Sequence, residues 1–292
     1  MNRAISKKIK EGSAGYFFIF IPLLFLLVFN LLPMIMGFFM SFTEWNGIQS
    51  PKFIGIENYK NMFLNDDVFY KALTNTIQFA ITSVLGGILV ALILAVAIDK
   101  IVRLQTFFRV TYFIPVITPL VVVALIWTLI YEERGLLNYF FGLVGLDSIG
   151  WLTDKRIAMH SVVITSIWQG MGFSMVIFLA SLQNIPEHLY EAAKIDGANF
   201  WKQFKHVTLP GLKDTFAFLF VYGLIGGFQV FDQIYVMTDG GPINSTQTLV
   251  YWIYSNFKQL NLGYSSALAY IFFIMLLIIS IIQLKIFYRH ND

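Results

Sequence analysis

The stretch IPEHLYEAAKIDGANFWKQFKHVTLP, residues 185–210, is a polar interruption between two long apolar runs, and its reading decides how the chain is arranged. Pro186 suits the first turn of a helix, where its missing N–H costs nothing, and Glu187 complements the positive end of the helix dipole. That helix runs to about Asp196, with Leu189, Ala192 and Ala193 on one face and Glu191 and Lys194 beside them. The two alanines keep the face small enough for close docking. Gly197 is a C-terminal stop, because it tolerates positive φ. Asn199 can cap a second helix whose Phe200, Phe204 and Val207 recur at i, i+4, i+7, and Pro210 ends it. The stretch reads as helix, glycine turn, helix.

Outward from it, the chain is mostly apolar. Of 292 residues, 57% are hydrophobic and 13% charged, and the mean hydropathy is +0.69, far outside the range of soluble domains. The sequence predicts an all-α membrane protein. A net charge of +3 is too small to argue for nucleic acid. With no cysteine, disulfides, thiolate nucleophiles and cysteine-based metal sites are excluded. Runs of at least about 18 uncharged residues occur near 16–42, 73–98, 107–131, 158–182, 215–237 and 265–288, so six spans are expected with both termini on one side. The first follows Lys7, Lys8 and Lys10 but is too long for a signal peptide and lacks a small-residue cleavage site, so it reads as a retained span.

Orientation follows from lysine and arginine. With the N-terminus inside, thirteen of the twenty fall in inner segments and seven in outer ones, although the outer segments are longer in sum. The rule of positive inner loops therefore favours both termini inside, which puts residues 185–210 in the cytoplasm between spans four and five. Two accounts of the stretch remain, an amphipathic loop on the membrane surface and a knob inserted into a partner, and periodicity does not separate them. Pro115 and Pro119 sit inside the third run, where each deletes a backbone hydrogen bond and tends to kink a helix. Gly223 and Gly227 form a G-x-x-x-G that lets helices approach closely, as ordinary bundle packing requires.

Enzymatic chemistry has little to stand on. The histidines His160, His188, His206 and His290 form no H-E-x-x-H, no G-x-S-x-G occurs, and the absence of any Gly-Lys dipeptide excludes a Walker A loop. No ion relay runs through the spans; the nearest carboxylate is Asp232, toward the outer end of the fifth, where it is either a functional intramembrane group or a residue reaching the interface. No internal repeat marks an inverted-repeat carrier. A transporter without its own ion relay or nucleotide site needs an external energy source.

EAAKIDGANFWKQFKHVTLP resembles the EAA signature of the membrane subunits of binding-protein-dependent ABC importers, with Glu191, Ala192, Ala193, Gly197, Val207, Leu209 and Pro210 in its places. The resemblance covers nearly the whole chain. FIGIENYKNMF with ALTNT before span two, FFRVTYFIPVITP, and IYVMTDGGPINSTQTL after span five are similar to the carbohydrate-uptake group. The Gly-Gly-Pro turn and YSSALAYIFFIM look like its first subunit, the maltose-permease-F or glycerol-phosphate-permease-A type. Six spans without a large inserted outer domain bring the chain nearer the shorter oligosaccharide and glycerol-phosphate permeases than the maltose subunit.

That resemblance implies a cytoplasmic tail over 1–15 and a type I importer transmembrane domain over 16–292, in a multi-pass bacterial cell-membrane protein. It implies a heterodimer with a second permease, two ATP-binding subunits that hold ATP and magnesium, and an extracytoplasmic solute-binding protein, with no cofactor, metal or nucleic acid on this chain. The EAA helix becomes a coupling helix seated in a cleft of an ATPase subunit. Glu191 contacts a basic residue there, Ala192 and Ala193 allow close seating, and Gly197 allows the turn. The family's sugar site maps onto Ser166, Gln169, Gly170 and Phe173 and onto Gly227 and Val230, with Gln229 and Asp232 added on polarity. Gly227 and Val230 depart from the polar residues expected there, which argues against maltose itself as the solute. The sequence leaves a polyol phosphate, an ion-coupled carrier and an intramembrane enzyme as alternatives.

Overall fold

A computed structural model of the chain describes residues 18–101 and 104–288. The expected tail 1–15, with Arg3, Lys7, Lys8 and Lys10, lies outside the described residues, as do Arg103 and Arg289. The chain divides into two compact units, the first formed by residues up to Asn65 together with Ile253–Ile271, the second by Asp66–Trp252 with Phe272 onward.

In the first unit, α1 (Phe18–Met40) is apolar apart from Asn30 and buries nothing, as a lipid-facing helix does. A π turn over Leu27–Leu31 closes with Leu32 N–H donating to Leu27 O, one residue before Pro33. The wider turn relieves the clash a proline ring makes with the carbonyl four residues back. After α1, β1 (Thr43–Glu44) pairs antiparallel with β2 (Lys52–Phe53), and α2 covers Glu57–Leu64. Buried Asn58 ties these together, its amide donating to Ser41 O at 2.8 Å and Thr43 O at 2.9 Å.

The second unit is built on α3 (Asp67–Asp99) and α7 (Ala158–Gln183), which pack along each other. Asp66 caps α3 by accepting from Phe69 N–H, which extends the helix six residues before the expected start at 73. Small residues set the spacing: Ala91 and Ala95 of α3 lie fully buried against Met175, Phe178 and Leu179 of α7. The G-x-x-x-G packs within this chain, on α10 (Lys213–Phe228). A Cβ at Gly227 would stand 2.9 Å from Ala80 Cα, and one at Gly223 would stand 3.1 Å from a Val84 methyl. Lipid gives no hydrophobic incentive for helices to associate, so this close backbone approach is what binds α10 to α3.

Among the described residues, four helices are long and apolar enough to cross a membrane, and six segments are if each of two bent pairs counts as one. The runs near 16–42, 73–98, 158–182 and 265–288 correspond to continuous helices over their described residues, the last being α13 (Leu262–Tyr288), which follows α12 (Leu249–Lys258). The other two expected spans are not straight. The third breaks between α4 (Gln105–Ile117) and α5 (Leu120–Tyr131), with a bend of 97° before the segment Leu120–Leu143, whose end is α6 (Leu136–Leu143). Pro119 drives Thr118 to an extended ψ of 132°, because the ring collides with a helical preceding residue. Pro115, by contrast, stays inside α4. The fifth run stops at Phe228, and Asp232 opens the separate short helix α11 (Asp232–Met237). Gly226 and Gly227 weaken the last turn of α10, and Val230 O accepts from Thr248 Oγ1 instead of continuing the helix.

Candidate functional site

Residues 185–210 form α8 (Glu187–Ile195), a tight elbow, and α9 (Phe200–Gly211). Pro186 stands one residue ahead of its expected place, as the N-cap of α8. Gly197 has φ +73°, its N–H donates to Lys194 O at 3.0 Å, and Ala198 N–H donates to Ala193 O at 2.9 Å. These two bonds satisfy the last carbonyls of α8 and reverse the chain in a Schellman motif. Asn199 then caps α9, its Oδ1 accepting from Lys202 N–H at 3.0 Å. The Tyr190 and Thr208 hydroxyls bond at 3.0 Å, Gln203 Nε2 donates to Ala198 O at 2.8 Å, and Lys100 Nζ lies 3.7 Å above the Phe200 ring. The elbow is thus a rigid body joined to the end of α3.

Pro210 does not end α9. A π turn over Phe204–Thr208, closed by Leu209 N–H to Phe204 O, opens the helix just before it, and the helix continues to Gly211 before a 63° bend into α10. The same device precedes Pro33 in α1. Of the coupling candidates, Glu191, Ala192, Gly197 and Pro210 are exposed, whereas Ala193, Val207 and Leu209 are half-buried. Lys194 does not close an ion pair with Glu191 among the described residues. The structure adds Ile195 at the end of α8 and Trp201 at the start of α9, 86% and 71% exposed. A cleft of about 480 Å³ opens behind the elbow, lined by Asn184, Leu189, His206, Val207, Pro210 and Asp214.

The second group of candidates is only partly brought together. Ser166, Gln169, Gly170 and Phe173 recur at i, i+3, i+4, i+7 and share one stripe of α7. Ser166 Oγ is buried without a hydrogen-bond partner among the described residues, and Gln169 Nε2 donates at 3.5 Å to Pro115 O beside the α4–α5 break. A Cβ on Gly170 would meet nothing within 4 Å. Phe173 lies against Tyr222 at 5.1 Å between centroids, and Tyr222 stacks on Phe218 at 6.0 Å. Sequence reasoning passed over both rings, although their i, i+4 spacing was visible. Gly227 does not join the stripe, being sealed against Ala80, and Val230 is buried in the α10–α11 break. Gln229 is exposed and Asp232 half-buried at the same break.

The loop after α11 is pinned to α3. Asn75 Nδ2 donates at 2.9 Å to both Asn244 O and Gln247 O, and Leu249 N–H donates to Thr76 Oγ1 at 2.9 Å. Asn75→Ala leaves two carbonyls without that donor, at a cost of about 2 kcal/mol. A lowered melting temperature of the purified protein in detergent is expected; an unchanged one would mean that the loop is held elsewhere.

Residues 83–292 match the family model described as "Binding-protein-dependent transport system inner membrane component". The chain belongs to that family. The permease is 39% identical over 274 residues to the "Probable ABC transporter permease protein YurN" of Bacillus subtilis (strain 168), covering 91% of this chain and 94% of that one. It is 36% identical over 282 residues to the "Arabinooligosaccharides transport system permease protein AraP" of the same organism, covering 94% and 89%. Its fold matches a chain in the crystal structure of a bacterial ABC transporter involved in the import of the acidic polysaccharide alginate, with a TM-score of 0.86, 23% identity and 99% of each chain covered. The permease is therefore a multi-pass inner-membrane component, with two of its apolar segments broken where straight spans were expected.

Proposed function

We propose that the permease forms half of the translocation pathway of an ATP-driven importer of an oligosaccharide or related carbohydrate in a bacterial cell membrane. The observation that carries this reading is likeness along nearly the whole chain to relatives named for sugar transport, AraP among them. Six spans would cross the membrane with both termini inside, the tail 1–15 and the elbow 185–210 in the cytoplasm, and residues 16–292 as the transmembrane domain. The partners would be a second permease, two ATPase subunits holding ATP and magnesium, and an extracytoplasmic solute-binding protein. The chain itself, lacking nucleotide motifs, hydrolyses nothing.

Mechanistically, the elbow is rigid and exposed. Glu191, which has no ion pair among the described residues, would meet a basic residue of the ATPase, while Ala192 and Ala193 allow close seating and Gly197, Leu209 and Pro210 set the angle between α8 and α9. Closure of the ATPase pair then moves α8 and α9 as one body, and the bend at 212 passes that movement to α10 and so to α3 and α7. The solute would lie on the stripe Ser166, Gln169, Gly170 and Phe173, where amide and hydroxyl groups face a sugar beside an aromatic ring. Gln169→Ala is expected to lower sugar uptake roughly tenfold, the worth of one or two hydrogen bonds, while solute-independent ATPase activity of the assembled complex persists. Equal transport kinetics in the two proteins would remove Gln169 from the pathway.

A further inference from the structure

The charge of the candidate pathway is carried by one residue. Ser166, Gln169, Gly170, Phe173, Gly227, Gln229 and Val230 are uncharged, and α5, α7, α11 and all but the first residue of α10 contain no lysine or arginine. Asp232 is the exception. Asp232 is a half-buried residue, and among the described residues no hydrogen bond or ion pair engages its carboxylate. A carboxylate beside apolar helices is costly unless something pairs with it. Being an acceptor only, it calls for a hydroxyl or a cation as its partner.

Its surroundings favour a hydroxyl. The helix that begins at Asp232 packs against α5 and α7. Tyr235, three residues on, shares the face of Asp232. Its ring stacks on that of Phe231, with centroids 5.6 Å apart and planes 10° from parallel. Tyr251 backs both rings at 6.3 and 6.4 Å and donates its hydroxyl to Asp239, which holds the group in place. Tyr251 is buried, yet Tyr235 is 41% exposed. A fixed aromatic face beside an acceptor-only carboxylate offers an apolar bed for the C–H face of a pyranose and an anchor for its hydroxyl edge.

We infer that Asp232 and Tyr235 form a subsite for one ring of an uncharged sugar and that this subsite selects against acidic sugars. The inference rests on the sugar-importer reading and narrows it. A uronate or a sugar phosphate would bring an anion against Asp232 where no lysine or arginine compensates it. Fold does not decide this point, because an importer of an acidic polysaccharide shares the fold; the charge at position 232 does.

The test is uptake by cells carrying the complete transporter. Radiolabelled maltotriose, raffinose and arabinotriose serve as neutral probes and trigalacturonate as the acidic one. Wild-type cells are expected to take up at least one neutral probe and to discriminate against trigalacturonate by at least about tenfold. At matched membrane amounts, Asp232→Asn should lower neutral uptake roughly tenfold, as loss of a hydrogen bond to a charged group does, and should narrow the neutral-to-acidic ratio, which a merely structural role would not move. Tyr235→Ala should lower neutral uptake alike, with recovery in Tyr235→Phe. Preferential uptake of trigalacturonate, or unchanged uptake and ratio in Asp232→Asn, overturns the subsite and leaves the importer reading standing. Failure to take up any sugar, neutral or acidic, overturns both.

Discussion

A Gly197→Val permease is expected to reach the membrane at the wild-type level, to leave ATP hydrolysis by its complex running, and to lose at least about tenfold of its uptake, equivalent to some 1.4 kcal/mol of coupling. The reason is confined to the backbone. Gly197 has φ +73°, which costs an L-residue roughly 1–2 kcal/mol, and a β-branched side chain more. A Cβ there would meet nothing within 4 Å, so no packing is disturbed and the bundle still folds. What changes is the elbow: the bonds from Gly197 N–H to Lys194 O and from Ala198 N–H to Ala193 O hold only in that conformation. Without them α8 and α9 no longer move as one rigid body, and movement of a partner is absorbed by the turn instead of reaching α10. Gly197→Asn, which tolerates the left-handed region, is expected to lose less. Uptake and ATPase activity measured in the same vesicles decide it, and wild-type uptake by the valine variant would sink the coupling role.

Gly172→Ala is expected to damage the protein itself. A Cβ at this position of α7 would clash with the carbonyl oxygen of Tyr112, and would stand 2.8 Å from that carbonyl carbon and 3.1 Å from a Val116 methyl. Two of these three atoms are backbone and cannot rotate away, so α4 and α7 must part. Overpacking of this kind costs about 3 kcal/mol, and between membrane helices no hydrophobic force draws the parted surfaces together again. The purified variant should melt well below wild type in detergent and accumulate to lower levels. Gly170→Ala, two residues away, is the internal control for stability, because its Cβ meets nothing within 4 Å. Equal melting of the two variants would contradict the α4–α7 contact.

Much of the molecule was legible from residue pattern. The run 158–182 became α7 (Ala158–Gln183), and the reading of Pro186, Gly197 and Asn199 gave both ends of α8 and the start of α9 almost to the residue. Caps and glycine turns depend on bonds between near neighbours, which local sequence contains. The errors have a common cause. Pro119 was recognised as a kink, but not that it would split the run into segments 97° apart; Pro210 was read as a stop, and a π turn carried the helix past it. In each case a proline removes one bond, and the fate of the neighbouring backbone depends on what packs around it.

The candidate site divides in the same way. The stripe of Ser166, Gln169, Gly170 and Phe173 follows from helical period alone. Whether Gly227 faces a pathway or a helix does not, because a glycine carries the same signal in both settings, and only the approach of Ala80 assigned it to packing. Nor could sequence join Asp232 and Tyr235 to Tyr251, which approaches from beyond the loop after α11. By itself the sequence determined a helical membrane protein with a two-helix elbow, because apolar runs and capping residues act over a few bonds. Only the tertiary structure decided which spans bend, which glycines seal helices together and what surrounds Asp232 at the break after α10, because those outcomes depend on residues far apart in the chain.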